Sequence, residues 1–303
     1  MNLSRLSNVE LAKRLNGSGL RLRTGDFVFS VRSSLPEIHA GLRQLHGRTP
    51  LADDNEFVDF YVAINAGHHV RRWLRPQARF EVDGVEPFKP LPRAQALAML
   101  EWGMNWCITA YGHHQLVIHA AAVAHGDRAA ILPAPPGSGK STLCAALVNR
   151  GWRLLSDELA LVSLETGEIQ ALARPVNLKN ASIQIMRDFA ADASFGPTIH
   201  DTSKGTVALM QAPASSVDKA TDPARPTWIV LPKYSPNAAA HLTPMTQGEA
   251  FLSLADNAMN YHILGELGFQ AIGRLIDDCA SYRFEYSALD DAIATFDALA
   301  DAD

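Results

Sequence analysis

Cysteine is scarce: three residues in 303, Cys107, Cys144 and Cys279, with no pair at metal-binding spacing. An odd number of widely separated thiols excludes a disulfide framework and a thiolate zinc site, and buried, reduced cysteines are expected instead. An excess of charge of one sign is missing as well. Twenty-seven basic residues stand against 32 acidic ones, for a net charge of −5, which gives no sign of a surface built for nucleic acid and leaves room only for a small local basic patch. No apolar run reaches the length of a membrane span, because His, Asp, Arg or Gly interrupts each one, and Met1–Arg5 opens no signal-peptide core. Repeats, heptads and low-complexity linkers are absent too. What remains is 47% hydrophobic and 19% charged, a globular balance in a chain long enough for one large domain or two ordinary ones. A soluble cytoplasmic protein, with neither membrane nor nucleic-acid partner, is expected.

Periodicity divides the chain near Gln115. Before it, Asp26–Arg32, Phe57–Ile64 and Gln77–Val82 alternate as strands, while Leu35–Leu45 and Arg93–Tyr111 have helical spacing. Residues 1–114 are therefore predicted to form an accessory α+β region, and 115–303 an α/β nucleotide domain. In the second part Leu116–Ala124 and Ala129–Leu132 read as a hairpin across His125-Gly126-Asp127-Arg128. Ser141–Arg150 reads as a helix and Trp152–Leu155 as a buried strand. Ala212–Pro226 has the composition of an exposed loop, Thr227–Leu231 that of a strand. A helical tail is expected at Gln247–Asp256, Ala271–Cys279 and Asp290–Leu299.

The hairpin runs into Ala134-Pro135-Pro136-Gly137-Ser138-Gly139-Lys140-Ser141-Thr142. Glycines between a strand and a helix let backbone N–H groups converge on phosphate oxygens, and the helix N-terminus adds the positive end of its dipole. Gly137, Ser138, Gly139, Lys140, Ser141 and Thr142 are the expected nucleotide-binding residues. Lys140 would neutralise the β- and γ-phosphates, and the Ser141 hydroxyl would ligate Mg²⁺. Ala134 stands where such loops begin with glycine, and Pro135 and Pro136 bring no N–H, so the cradle relies on Gly137 onward. Asp157 ends the strand after the loop helix. If that strand runs parallel to the loop's strand, its carboxylate faces the γ-phosphate, as a metal ligand or a general base. Glu158 follows it as a further metal candidate. His119, one strand before the loop, could orient the carboxylate if the two strands are neighbours. Arg174 and Lys179, in one polar segment, and Lys204, in Asp201-Thr202-Ser203-Lys204-Gly205, are candidate clamps on a transferring phosphoryl group.

The run from Val117 to Glu158 resembles the HPr kinase/phosphorylase catalytic domain. The shared features are a strand His (His119), a Gly-x-Gly-Lys-Ser loop (Gly137–Ser141) and Arg150-Gly151-Trp152-Arg153-Leu154 closing in paired acids (Asp157 and Glu158). The whole chain resembles the HPr-kinase-related kinases of subtype A, through Arg174–Asn180, Asp201–Gly205 and Asn257–Glu285. The resemblance implies a P-loop fold like the phosphoenolpyruvate carboxykinase core. It also implies Asp157 as general base toward a serine hydroxyl with His119 assisting, ATP and Mg²⁺ as cofactors, and, by analogy with the hexameric HPr kinases, a homo-oligomer. The chain departs from HPr kinase in carrying Glu158 for the second Asp, in lacking the Glu-Ile-Arg-Gly-Leu-Gly signature that supplies a metal-ligating Glu, and in residues 1–114. HPr itself and the reverse phosphorylase reaction therefore do not carry over.

The expected activity is ATP-dependent phosphorylation of a hydroxyl, on a serine of a small protein or peptide. A small-molecule kinase of the same fold is the alternative enzyme. A non-catalytic, nucleotide-gated binding module is the alternative from another class; it needs the loop but not a base beside the γ-phosphate.

Overall fold

Strand residues of the second half alternate between two apolar faces, and a three-layer arrangement follows from that alternation. In the computed structural model, which describes residues 1–302, six strands form one sheet. Their spatial order is His241–Pro244, Ala280–Tyr286, Arg225–Tyr234, Arg128–Pro133, Ala120–His125 and Arg153–Ser156. Ala121, Val123, Ala130, Leu132, Trp228 and Val230 pack under helices Lys140–Val148 and Leu289–Asp301. Their alternates, Ala120, Ala122, Ala124, Ala129, Ile131 and Ile229, pack under helices Gln247–Asn257 and Glu266–Asp278. Such alternation is what a sheet buried on both faces requires. Trp152 is 1% exposed and sits edge-on to Phe296. Its indole N–H donates to Asp297 Oδ1 at 2.8 Å, which pins the last helix.

Strand direction decides where chemistry can gather. Arg128–Pro133 and Arg153–Ser156 are both antiparallel to Ala120–His125 between them, so they are parallel to each other. Arg225–Tyr234 is parallel to Arg128–Pro133 and to Ala280–Tyr286. Four strands therefore end on one edge, the edge where open α/β sheets hold ligands.

The first part of the chain builds a five-stranded sheet in chain order: Leu20–Thr24, Phe27–Ser33, Phe60–Ala66, Gln77–Val82 and Leu91–Pro92. The parallel step between Phe27–Ser33 and Phe60–Ala66 is made across helix Pro36–Leu45. Helix Ala96–Tyr111 buries residues all round its surface, Leu97, Leu100, Met104 and Ile108 among them, as a helix covered on every side must. Val117, Leu159, Leu161, Leu172, Ile199, Val207 and Leu209 join the same apolar cluster. The accessory region thus shares a core with the segments beyond residue 115. Two small three-stranded sheets complete that junction: Ile169–Gln170, Ala160–Ser163 and Gln115–Ile118, then Val176–Lys179, Gly205–Met210 and Ile199–Thr202.

Three expectations are corrected. The apolar run Leu116–Ala124 is two strands, Gln115–Ile118 and Ala120–His125, broken by a bend at His119. Ala212–Pro226 is not a free loop. It holds helix Ala214–Val217 with Ser216 and Val217 buried, and Arg153 donates to the carbonyls of Lys219, Asp222 and Pro223. Between two helices of the tail runs a strand of the main sheet, Ala280–Tyr286. Among the described residues no helix is long and apolar enough to cross a membrane. Cys107 and Cys144 are buried and Cys279 is partly so, and all three are free thiols.

Gly103, midway along helix Ala96–Tyr111, tests how tightly the two layers of the accessory region meet. A Cβ there would lie 2.2 Å from the buried Phe80 ring. Gly103→Ala is expected to lower stability by about 1–3 kcal/mol through overpacking, although alanine favours a helix over glycine by roughly 1 kcal/mol. Chemical denaturation checks this, and a stabilised variant would show that the ring yields freely.

Candidate active site

The glycine loop leaves strand Arg128–Pro133 at the common edge and enters helix Lys140–Val148. Gly139 stands at φ +90°, and a Cβ there would come within 2.4 Å of the Tyr286 hydroxyl oxygen. Only glycine fits that position. Two tyrosines from the ends of neighbouring strands hold the loop. Tyr286 Oη donates to the Gly139 carbonyl at 3.0 Å, and the Tyr234 N–H donates to the Ser138 carbonyl at 2.8 Å. Burial pushes the Tyr286 hydroxyl above its usual range, so it stays a donor. The first-turn N–H groups of the helix have no carbonyl of their own turn to bond. They sit beside the exposed Gly137 and the half-buried Ser138 and Gly139.

Lys140 opens the helix, yet its side chain is buried. Burial draws its pKa down, and Asp157 and Glu158 oppose that by favouring the ammonium. Nζ lies 3.3 Å from His119 Nε2. Lys140 is the donor, so Nε2 accepts as the unprotonated nitrogen. Burial, then Lys140, lowers the pKa of His119 and keeps the ring neutral. Its backbone N–H is anchored on the Asn257 carbonyl at 2.7 Å. His119 is thus placed opposite the Asp157–Leu159 bend, since Ile118 pairs with Ala160 and Ala122 with Ser156. Its ring, expected to assist Asp157, takes Lys140 as its hydrogen-bond partner instead.

Asp157 follows strand Arg153–Ser156 directly and is 5% exposed. Oδ2 accepts the Asn177 backbone N–H at 3.0 Å, while Oδ1 is buried with no hydrogen-bond partner in the protein. Burial, and next the charge of Glu158, push this carboxyl up from 3.8 to about 6; the Asn177 N–H, Lys140 and the Ser141 hydroxyl work the other way. Glu158 is treated oppositely. Asn105 Nδ2 donates to its Oε2 at 2.9 Å and Asn177 Nδ2 to its Oε1 at 3.1 Å. Lys204 stands 3.9 Å away. Burial alone would raise the Glu158 carboxyl, but Lys204, then the Asn177 amide and Lys179, hold it below the usual carboxylate range. Two consecutive acids are thereby divided into one that holds its charge and one poised to take a proton.

The candidate clamps part company. Val176–Lys179 pairs with Gly205–Met210, which brings Lys179 and the turn holding Lys204 to one end of a small sheet. Both lysines act electrostatically on His119 and Glu158, and Lys179 acts on Lys140 too. Lys204 is 40% exposed and lies over the Trp102 ring at 4.8 Å. Arg174, expected at the loop mouth, is instead 6% exposed. Its guanidinium donates to Glu101 Oε2 at 2.6 Å, to the Glu101 carbonyl at 2.9 Å and to Asn105 Oδ1 at 2.6 Å. Glu101 also holds His46 at 2.7 Å. Its Nε–H alone lacks a partner, and it is buried. A guanidinium committed to a buried ion pair with Glu101 is not presented at the loop mouth, and that expectation is corrected.

For Mg²⁺ the fit is partial but sufficient. No cluster of three or more His, Cys, Asp or Glu able to hold a metal exists among the described residues. The orphaned Asp157 Oδ1 and the nearby Ser141 hydroxyl suit an ion that keeps waters and takes its other ligands from phosphates. Both Glu158 oxygens already accept amide protons, so Asp157 is the freer of the two acids expected to bind metal.

No protein-family model matches the chain, and no curated protein matches it. Among solved structures it is similar to the HPr(Ser) kinase/phosphatase from Coxiella burnetii, at 12% identity and a TM-score of 0.29, over 62% of this chain and 99% of that one. A likeness that slight supports no statement about activity.

Glu101, Asn105, Tyr234 and Tyr286 escaped sequence reasoning. One signal was present: Glu101 and Asn105 stand one helical turn apart in an otherwise apolar helix, where polar groups need partners.

The raised pKa of Asp157 has a consequence for stability. The folded chain binds that proton more tightly than the unfolded chain, so its stability falls as pH rises from about 3.8 to about 6. Asp157→Asn removes the penalty while keeping an acceptor for Asn177. The variant should melt above wild type near pH 8, with the gap closing near pH 4. An equal gap at both pH values would show that Asp157 titrates normally.

Proposed function

We propose that this chain is an ATP-dependent kinase that transfers the γ-phosphoryl group to a hydroxyl, on a serine of a small protein or peptide. The division into an accessory region, 1–114, and a P-loop nucleotide domain of the HPr kinase and phosphoenolpyruvate carboxykinase type, 115–303, belongs to the same proposal. One observation carries it. Lys140 at the head of the loop helix and Asp157 at the end of a parallel strand meet on one sheet edge, and Asp157 Oδ1 is buried without a partner. A nucleotide-gated binder needs the lysine and the loop; it has no use for a carboxyl held near neutrality beside them.

The roles follow from position. Loop N–H groups and Lys140 receive the β- and γ-phosphates, and the neutral His119 accepts from Lys140 and fixes its direction. Lys179 and Lys204, which act electrostatically on Glu158, would add positive charge for the transferring group. Asp157 and the Ser141 hydroxyl would hold Mg²⁺, which when bound would supply charge neutralisation for the phosphates. In the transfer, the acceptor oxygen forms a bond to phosphorus as the bond to the β-phosphate oxygen breaks. That electron pair leaves with ADP, and the hydroxyl proton passes to Asp157.

Calorimetry with Mg·ATP is expected to show binding that Lys140→Ala weakens at least tenfold, about 1.4 kcal/mol. Asp157→Asn is expected to bind nucleotide nearly as wild type does and to lose about 10²–10⁴ in turnover. ATP hydrolysis serves as the assay, with water in place of the serine hydroxyl. An Asp157→Asn protein that hydrolyses ATP at the wild-type rate returns the chain to the class of nucleotide-gated binders.

A further inference from the structure

Glu158 is gripped from two directions by side-chain amides that come from different parts of the chain. Asn177 belongs to the strand beside the site, but Asn105 belongs to helix Ala96–Tyr111 of the accessory region. The orientation of the Asn105 amide is settled by chemistry. Arg174 has only donors to offer, so the Asn105 group facing it at 2.6 Å must be the carbonyl oxygen. The NH₂ then faces Glu158 Oε2 at 2.9 Å.

The anchoring of Asn105 is equally definite. Arg174 is fixed by two hydrogen bonds to Glu101, one turn earlier on the same helix, and Glu101 is fixed in turn by His46. The helix itself is locked by Leu97, Leu100, Met104 and Ile108 in the accessory core. An unbroken set of polar contacts therefore runs from His46 through Glu101, Arg174 and Asn105 to Glu158, and on through Asn177 to Asp157. A free glutamate has three rotatable bonds and a large rotamer entropy. With both oxygens capped by amides on separate elements, Glu158 has one orientation.

We propose that Asn105 is a positioning residue for the reaction proposed above, through which the accessory region holds Glu158, and by way of Asn177 the Asp157 carboxylate, in working orientation. Residues 1–114 are then a part of the active site and not an appendage to it. In its catalytic sense the inference rests on the kinase reading; the contact it describes does not.

Substitutions separate the two ends of the amide. Asn105→Asp keeps an acceptor for Arg174 but turns a carboxylate toward Glu158, whereas Asn105→Leu loses both contacts. Asn105→Asp in the full-length protein is expected to melt below wild type, because a third carboxylate joins the buried acids. Assayed well below its melting temperature, it is expected to bind Mg·ATP with little change yet lose at least about tenfold in kcat with KM for ATP nearly constant. A residue needed only to anchor Arg174 gives the reverse: Asn105→Asp as active as wild type, and only Asn105→Leu impaired. That outcome overturns the proposal. A second measurement needs no turnover. In wild type one proton of the Asn105 side-chain NH₂ is expected downfield in the nitrogen–proton NMR spectrum, because it bonds to an ionised carboxylate. Glu158→Gln should move it upfield. If that resonance is indifferent to Glu158→Gln, Asn105 does not hold Glu158, whether or not Asn105→Asp folds. If the resonance responds but wild type never turns over ATP, the contact stands and the kinase reading is what has failed.

Discussion

Two carboxylates in succession, Asp157 and Glu158, are held out of water at one edge of the main sheet, and most of the surrounding structure answers to that constraint. A buried pair of like charges is unstable unless one proton is retained or the charges are compensated. Glu158 takes the larger share of compensation, from two amides and two lysines, against the Asn177 N–H, Lys140 and the Ser141 hydroxyl for Asp157. Asp157 is left with one backbone N–H and a bare oxygen. The asymmetry makes the pair chemically useful, and it weakens the fold at neutral pH by the same amount that it raises the Asp157 carboxyl.

Lys140 has the mirror-image problem. An ammonium in a buried position persists because the same two acids face it, and His119 lends it a lone pair. Acids, lysine and histidine are therefore mutually dependent, and removing one leaves another uncompensated. The loop is fixed from outside this group, by Tyr234 and Tyr286 at the ends of neighbouring strands. Its backbone is shaped by the protein before any ligand arrives, and such preorganisation is what electrostatic catalysis requires.

The accessory region enters this balance through one helix. Glu101 and Asn105 face the acids' side of the helix, while Gly103 meets Phe80 of the five-stranded sheet and Leu97 packs on helix Pro36–Leu45. Because Val117, Leu159 and Leu161 lie in the same apolar cluster as that sheet, a boundary near residue 115 marks a change of sequence character more than a gap in packing. The His46–Glu101–Arg174 group supplies direction to Asn105; as a buried ion pair it is weak evidence of stability on its own.

By itself the sequence determined the local elements whose signals are contiguous. The strand–glycine loop–helix unit, the strand that ends at Asp157 and helices such as Pro36–Leu45 and Gln247–Asn257 could be read from residue spacing and from glycine placed before a helix, whereas the equally amphipathic Asn8–Asn16 and Ala181–Phe189 were not. Tertiary structure alone decided what those side chains face. Arg174 reads as a phosphate clamp because a guanidinium binds a phosphate and a buried carboxylate by the same geometry, and its partner Glu101 comes from a distant helix. His119 reads as an aide to Asp157, but a bend turns its ring to Lys140. Strand Ala280–Tyr286 was hidden because its exposed Glu285 and part-exposed Ser281 and Tyr282 dilute the apolar signal. Spacing along a chain records backbone periodicity; which of two equally suitable partners a charged group meets depends on how the layers are stacked, and no local pattern encodes that.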